Sequence, residues 1–287
     1  MKNPSRRQFL KGLLGLSAAG IFTAAGGFGY ARYLEPHMLE TNFVPIKHPL
    51  IPKGFDRFRI VQFSDTHLSE HFTARELLDV VRNMNRLDPD LIVFSGDLID
   101  KPHRYREHER AVQALQKLSA PYGKLAIYGN HDHGGYGTKV YQTLMASAGF
   151  RVLRNDLIKL ELIDGSMIEI ASLDDVMLGR PNYKGTLSKL TTDAFSILLV
   201  HEPDAALTAK DYPVNLQISG HTHGGQVQLP LFGPLITPPY GEIYTEGMYE
   251  IGEMKVYVNR GIGTTRLPLR FLSKPEITVF ELAAEMM

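Results

Sequence analysis

The sequence predicts an α/β protein built as a four-layer αββα sandwich. Three observations carry that expectation. Through the first half, apolar strand-like runs alternate with segments of helical spacing, the pattern of parallel βαβ units. The second half is richer in strands, enough for a second sheet packed on the first with helices outside each. Polar clusters stand at the ends of five strands, and the carboxyl edge of open α/β sheets is where ligands bind.

Composition sets the outer limits. At 287 residues, 44% hydrophobic and 22% charged, the chain is long enough to bury most of its apolar surface in one large domain. Lys+Arg and Asp+Glu are equal at 31 each, so no global basic field points to nucleic acid, and no specific nucleic-acid binding is expected. There is no cysteine, which excludes disulfides and thiolate chemistry and leaves nitrogen and oxygen donors to hold any metal.

Taken in order, the chain opens with Ser5-Arg6-Arg7-Gln8-Phe9-Leu10-Lys11, which resembles a twin-arginine export signal, followed by a charge-free run from Gly12 to Ala31. Residues 1–31 are therefore expected to be a signal or a membrane anchor. Gly29-Tyr30-Ala31 is the nearest approach to a cleavage site, and both alternatives stay open. That route implies the twin-arginine machinery as a partner. It also implies a location in the periplasm, in the cell envelope or anchored in the membrane facing outward. Residues 32–54, proline-containing and aperiodic, read as a linker, and residues 55–287 as the folded domain.

Within the domain, Phe58 to Phe63 reads as a strand that leads into Ser64-Asp65-Thr66-His67. Thr73 to Leu87 has helical spacing, with Thr73 as N-cap. Leu91 to Phe94 is a buried strand ending in Ser95-Gly96-Asp97-Leu98-Ile99-Asp100, and Arg104 to Leu118 a second helix. Lys124 to Tyr128 ends in Gly129-Asn130-His131-Asp132, and Val140 to Ala148 is a third helix. Asp164-Gly165 between two strand-like runs signals a hairpin. Ser196 to Val200 ends in His201. Ala205 to Lys210 reads as a short helix. Val214 to Ile218 ends in Ser219-Gly220-His221-Thr222-His223, and Lys255 to Val258 and Glu276 to Glu281 complete the strands.

Any one of these clusters alone has a plain alternative: an Asx-turn, a helix cap or a rim histidine. Together and in order, Asp65-Thr66-His67, Gly96-Asp97-Leu98-Ile99-Asp100, Gly129-Asn130-His131-Asp132, His201 and Gly220-His221-Thr222-His223 resemble the calcineurin-like metallophosphoesterases. Gly224-Gly225-Gln226, Asn259-Arg260-Gly261-Ile262-Gly263 and Pro275-Glu276 resemble a bacterial exported or membrane-associated phosphodiesterase branch. The resemblance implies a hydrolase with a dinuclear metal centre at the strand ends. Asp65, His67, Asp97 and His223 would hold one divalent ion; Asp97, Asn130, His201 and His221 would hold the other. A hydroxide bridging the two ions would attack a phosphodiester or pyrophosphate. Manganese, iron, zinc and nickel all suit the donor set. His131 is the expected acid for the leaving group, oriented by Asp132. Asp100 is expected to support a ligand.

Three further expectations concern the substrate. Arg260 and Arg266 are candidates for a phosphate oxyanion, since arginine's planar fork fits one. Two apolar stretches, Leu229 to Phe232 and Leu267 to Leu272, would form a wall for a lipid-linked phosphoester near a membrane surface, with Arg270 in the wall meeting a headgroup. The alternative activities are hydrolysis of nucleotide-linked lipid precursors of the UDP-diacylglucosamine type, or a non-catalytic metal-binding module. The six remaining histidines, His133 among them, read as linker or surface residues.

Overall fold

The computed structural model describes residues 25–133 and 137–285. In chain order the elements are helix α1 (residues 25–33), strands β1 (Glu40–His48) and β2 (Arg59–Phe63), α2 (Ala74–Asn85), β3 (Leu91–Phe94), α3 (His108–Leu115), β4 (Lys124–Ala126), α4 (Asn130–His133), α5 (Gly137–Ser147), β5 (Arg151–Val152), β6 (Leu157–Glu161) and β7 (Met167–Ser172). There follow α6 (Tyr183–Leu187), β8 (Ser196–Leu199), α7 (Ala206–Ala209), β9 (Leu216–Ser219), β10 (Gln228–Leu229), β11 (Gly233–Pro234), β12 (Gly247–Ile251), β13 (Met254–Val258) and β14 (Glu276–Ala284).

Two six-stranded sheets form, in the orders β1-β14-β2-β3-β4-β5 and β12-β13-β9-β8-β7-β6. Strands β2 to β5 run parallel, as do β7, β8, β9 and β13. Period-two alternation sorts each strand's side chains into layers. Ile60, Leu91 and Val93 of the first sheet meet Ile170, Ile197 and Leu199 of the second in the central core. Val61, Ile92 and Phe94 face Leu77, Val81 and Met84 of α2. Leu198, Val256 and Val258 face Leu187 and Ala206 on the far side. The expected αββα sandwich is the fold.

Local signals act where the sequence placed them. Thr73 caps α2 in a reciprocal box: its hydroxyl accepts from Glu76 N, and the Glu76 carboxylate accepts from Thr73 N at 2.8 Å. Asp164-Gly165 closes the antiparallel β6–β7 hairpin.

Other segments differ from expectation. The stretch read as a linker contains β1, which pairs with β14 from Glu40↔Glu276 to His48↔Ala284. Pro45 hid this strand, yet an edge strand has one side free of partners and tolerates a residue without an N–H. Strands β5 and β12 and helix α6, none of them anticipated, are too short or too polar to stand out. Residues 1–24, and with them the export motif, lie outside the described residues. Among the described residues no helix is long and apolar enough to cross a membrane. The last part of the charge-free run is α1, and it is docked: Ala31 O accepts from Arg270 N at 2.9 Å, and Tyr30 packs edge-on against Phe271.

Candidate metal centre

The carboxyl ends of β2, β3, β4, β8 and β9 converge on one point between the sheets. The β2 loop brings Asp65 and His67, the β3 loop Asp97 and Asp100, and the start of α4 Asn130 and His131. His201 follows β8, and His221 and His223 follow β9. Five of these residues hold left-handed backbone conformations: Asp65 (φ 50), His67 (φ 41), Asp97 (φ 62), His221 (φ 75) and His223 (φ 54). Such conformations cost on the order of 1–3 kcal/mol each and persist only where the surroundings impose them. Here they turn the side chains inward. Close approach does the imposing, since a Cβ on Gly220 would collide with Asp65 and Ser64.

The donor atoms are near one another. His67 Nε2 lies 3.8 Å from Asp65 Oδ1 and 3.5 Å from Asp97 Oδ2. His201 Nε2 lies 3.8 and 3.4 Å from the same two oxygens. His223 Nε2 lies 3.5 Å from Asp65 Oδ1 and 3.0 Å from His67 Nε2. Asp65, His67 and His223 form one three-ligand group, and Asp65, Asp97 and His201 another, each with its ligand atoms within 4.8 Å of one another. His221 stands beside His201, ring centroids 4.9 Å apart.

The outward nitrogens fix which inward ones are free. His201 Nδ1 donates to Ser95 O at 2.7 Å, which turns its buried Nε2, without a hydrogen-bond partner, toward the two carboxylates. His221 Nε2 donates to Pro239 O at 2.9 Å, which leaves Nδ1 for a ligand. Carbonyl partners of this kind orient metal-binding imidazoles. The buried Asn130 Oδ1 also has no partner. Unpaired buried acceptors are rare in folded proteins. With two carboxylates and further imidazoles beside them, these atoms fit a divalent cation, which would displace the protons those imidazoles carry without it.

Electrostatics agree. Burial opposes ionisation of Asp97, but the His201 and His131 charges outweigh it and hold this carboxyl well below the usual range. Burial also opposes charge on His67, yet the Asp100 and Asp65 carboxylates beside it, with Asp97, raise it to about 9. Protons on such imidazoles balance the two carboxylates; a cation in their place releases them. Burial first, then the charge of His201, pushes His221 down to about 4, the neutral form a ligand needs.

Several site expectations need correction. Asp132 does not orient His131. Its carboxylate accepts from the backbone N–H groups of Asp97, Leu98 and Gly129, at 2.7, 3.1 and 2.9 Å, and so clamps the Asp97 loop. Burial and the nearby Asp97 charge push it up to about 7. His131 is instead held by Asp100: its Nδ1 donates to Asp100 O at 2.8 Å. The Asp100 carboxylate lies 3.6 Å from His67 Nδ1. Arg260 is committed to acids, 2.7 Å from Glu276 and 3.1 Å from Glu40, and is not free for a phosphate. Arg266 is exposed beside a cavity.

Arg270 is not in an outer wall. It is fully buried and donates to the carbonyls of Gly263, Ser273, Arg260 and Gly261 at 2.6–3.1 Å. The turn it gathers backs the Asp65 loop, where Gly263 N donates to Asp65 O at 2.8 Å. His133 is not a surface residue either; its Nε2 pairs with the buried Asp174 at 2.8 Å. Contacts to Ser95 O, Pro239 O and the Arg270 carbonyls have no signal in the sequence, because they involve backbone atoms.

The calcineurin-like phosphoesterase profile matches residues 58–225. The uncharacterized metallophosphoesterase YkuE of Bacillus subtilis (strain 168) is 66% identical over 282 residues, spanning 98% of this chain and 99% of its own. Phosphodiesterase YaeI of Escherichia coli (strain K12) is 30% identical over 288 residues, spanning 97% and 99%. UDP-2,3-diacylglucosamine pyrophosphatase LpxG of Chlamydia muridarum is 27% identical over 305 residues, spanning 87% and 91%.

Proposed function

The chain belongs to the calcineurin-like phosphoesterase family and is a metal-dependent phosphoester hydrolase; from that premise we propose that it cleaves phosphodiester or pyrophosphate bonds with two divalent ions. The observation that carries the reading is the pair of buried atoms without a hydrogen-bond partner, Asn130 Oδ1 and His201 Nε2, in a site that also holds Asp65 and Asp97. Asp65, His67, Asp97 and His223 would hold one ion, and Asp97, Asn130, His201 and His221 the other. Manganese, iron, zinc and nickel all suit these donors. Bound there, such ions polarise a phosphoryl group and supply a nucleophilic water at neutral pH.

The chain's own residues do the rest. Asp132 fixes the loop that presents Asp97, and Asp97 Oδ1 accepts from His131 N at 2.8 Å, tying the two together. The bond from His131 Nδ1 to Asp100 O fixes the ring and leaves Nε2 to give a proton to the departing oxygen. At 27% side-chain exposure, His131 stands at the rim, where a substrate can reach it. A screen of metal-reconstituted protein against mono-, di- and pyrophosphoesters tests the reading. Diesters or pyrophosphates should exceed monoesters by about tenfold or more in kcat/KM, a barrier difference of roughly 1.4 kcal/mol. Faster monoester hydrolysis would overturn it.

A second reading narrows the substrate to a lipid-linked phosphoester, at an envelope or membrane location reached by twin-arginine export. Leu231, Phe232 and Ile236 are 103%, 85% and 71% exposed, on the segment whose Pro239 O positions His221. Exposed apolar groups gathered in this way mark lipid or ligand contacts. One relative is by its name a pyrophosphatase of UDP-2,3-diacylglucosamine. The check is kcat/KM for a lipid-linked diester and for its short-chain analogue with the same leaving group. Equal values, unmoved by Phe232→Ser or Leu269→Ser, would remove the lipid.

A further inference from the structure

We infer that residues 31–40, which lead from α1 into β1, form a clasp on the metal centre, and that Glu35 is the positioning residue through which the clasp orients His223. The inference rests on the two-ion reading above and adds to it a residue that holds no ion itself.

The clasp lies along residues 270–275, and its contacts follow in step. Ala31 O accepts from Arg270 N at 2.9 Å. The Glu35 carboxylate accepts from Ser273 N at 2.6 Å. Glu40 pairs with Lys274 at 2.6 Å, and Glu40 N donates to Pro275 O at 2.8 Å.

Glu35 stands apart within the clasp. Carboxylates are seldom fully buried unless they are paired. Pro36 favours one 3₁₀ turn, Glu35–His37, and Glu35 at its head is wholly buried. A bond from a backbone N–H to a carboxylate is among the stronger kinds, so Glu35 fixes the Ser273 backbone. The Ser273 hydroxyl in turn donates to His223 O at 2.6 Å.

His223 needs that support. Its left-handed backbone (φ 54) persists only where neighbours impose it. Its carbonyl takes one bond from Gln226 N inside its own turn and one from Ser273 outside it. The second ties the turn to the rest of the fold, and a Cβ on Gly224 would collide with the same hydroxyl. On the ring side, His223 Nδ1 faces Arg270 Nη2 at 3.3 Å, and the Arg270 backbone is the one bonded to Ala31. Backbone and ring of one ligand are therefore both set from the clasp. Among the described residues neither Glu35 nor Ser273 bonds to Asn130, His201 or His221, so the effect falls on one ion. Losing a group that orients a ligand costs about 10–100-fold in metal affinity.

Titration of manganese into metal-free, full-length protein tests the clasp, with the free aqueous ion followed by electron paramagnetic resonance. The wild type is compared with Glu35→Ala, Glu35→Gln and Ser273→Ala. Glu35→Gln keeps an oxygen for Ser273 N, and Ser273→Ala removes only the hydroxyl. Glu35→Ala and Ser273→Ala should each weaken one of the two ions about tenfold or more and leave the other within about threefold, while Glu35→Gln stays within about threefold of the wild type at both. A merely structural part would lower the melting temperature and move neither affinity. Unchanged affinities in both alanine variants would overturn the clasp, as would equal losses at both ions or a loss in Glu35→Gln as large as in Glu35→Ala. If Glu35→Ala does not fold, Ser273→Ala decides by the same measure. If the wild type binds a single ion, the two-ion reading fails, and the clasp is decided on that ion. Weaker binding in the alanine variants then supports it, and equal binding overturns it.

Discussion

The ligand loops and the segment from Gln226 to Tyr240 differ in almost every physical respect, although both stand at the same edge of the sandwich. The loops are buried and polar, and their backbone is held in costly conformations by many hydrogen bonds. The segment contains no charged residue in fifteen positions, and its hairpin β10–β11 presents Leu231 and Phe232 to the outside. In the first region, what lacks a partner is a set of buried polar atoms. In the second it is apolar surface. Each lack points to something outside the chain, a cation in one case and an apolar phase in the other. The two regions share a root: Val227 bridges to Phe271, the neighbour of Arg270, and Pro239 O holds His221.

Substitutions can break this contrast in order of size. If His131 acts as the proposed proton donor and not as a ligand, His131→Ala should keep the metals and lower kcat by about 10²–10⁴-fold. The loss should be smaller for a nitrophenolate leaving group, and equal losses for good and poor leaving groups would count against the acid role. Arg270→Met leaves four buried carbonyls short of a donor and should cost about 3–5 kcal/mol. For a domain of this size that is a drop in Tm of roughly 6–20 °C. Melting followed by circular dichroism checks it, and a shift under about 2 °C would mean that the turn behind Asp65 holds without the guanidinium.

The other region should behave oppositely. Phe232→Ser should change stability by less than about 0.5 kcal/mol, since the side chain has little to lose. Its effect should appear in kcat/KM for the lipid-linked substrate alone. The chain has no tryptophan, so Phe232→Trp provides a single reporter. Its emission should shift to the blue on phospholipid vesicles and be quenched by brominated lipid, while Ile163→Trp, on the exposed β6–β7 turn, should do neither. Equal behaviour of the two reporters would erase the distinction between the hairpin and ordinary surface.

The sandwich was legible because its strands are short apolar runs between helical spacings, and the ligands because each stands at a strand end. Leu91 to Phe94 keeps its sequence boundaries in the structure. What stayed hidden was long-range. Strand β1 depends on pairing with β14, more than two hundred residues away, and Pro45 masked it. Adjacency in sequence pairs Asp132 with His131, but its partners are three backbone N–H groups, which no residue type encodes. Arg270 lies among Leu267, Leu269, Phe271 and Leu272, a stretch that carries no sign of what its guanidinium meets. Burial of its guanidinium becomes affordable only when four carbonyls converge on it.

Elemental analysis of the purified wild type, Asp97→Ala and His223→Ala, reconstituted side by side with manganese, tests the shared carboxylate most directly. Asp97 Oδ2 faces both His67 and His201, at 3.5 and 3.4 Å, and under the proposed ligand set it would serve both ions. The expected result is two ions per chain in the wild type, loss at both sites and no turnover in Asp97→Ala, and loss of mainly one ion in His223→Ala. Two tightly bound ions per chain in Asp97→Ala would contradict the assignment.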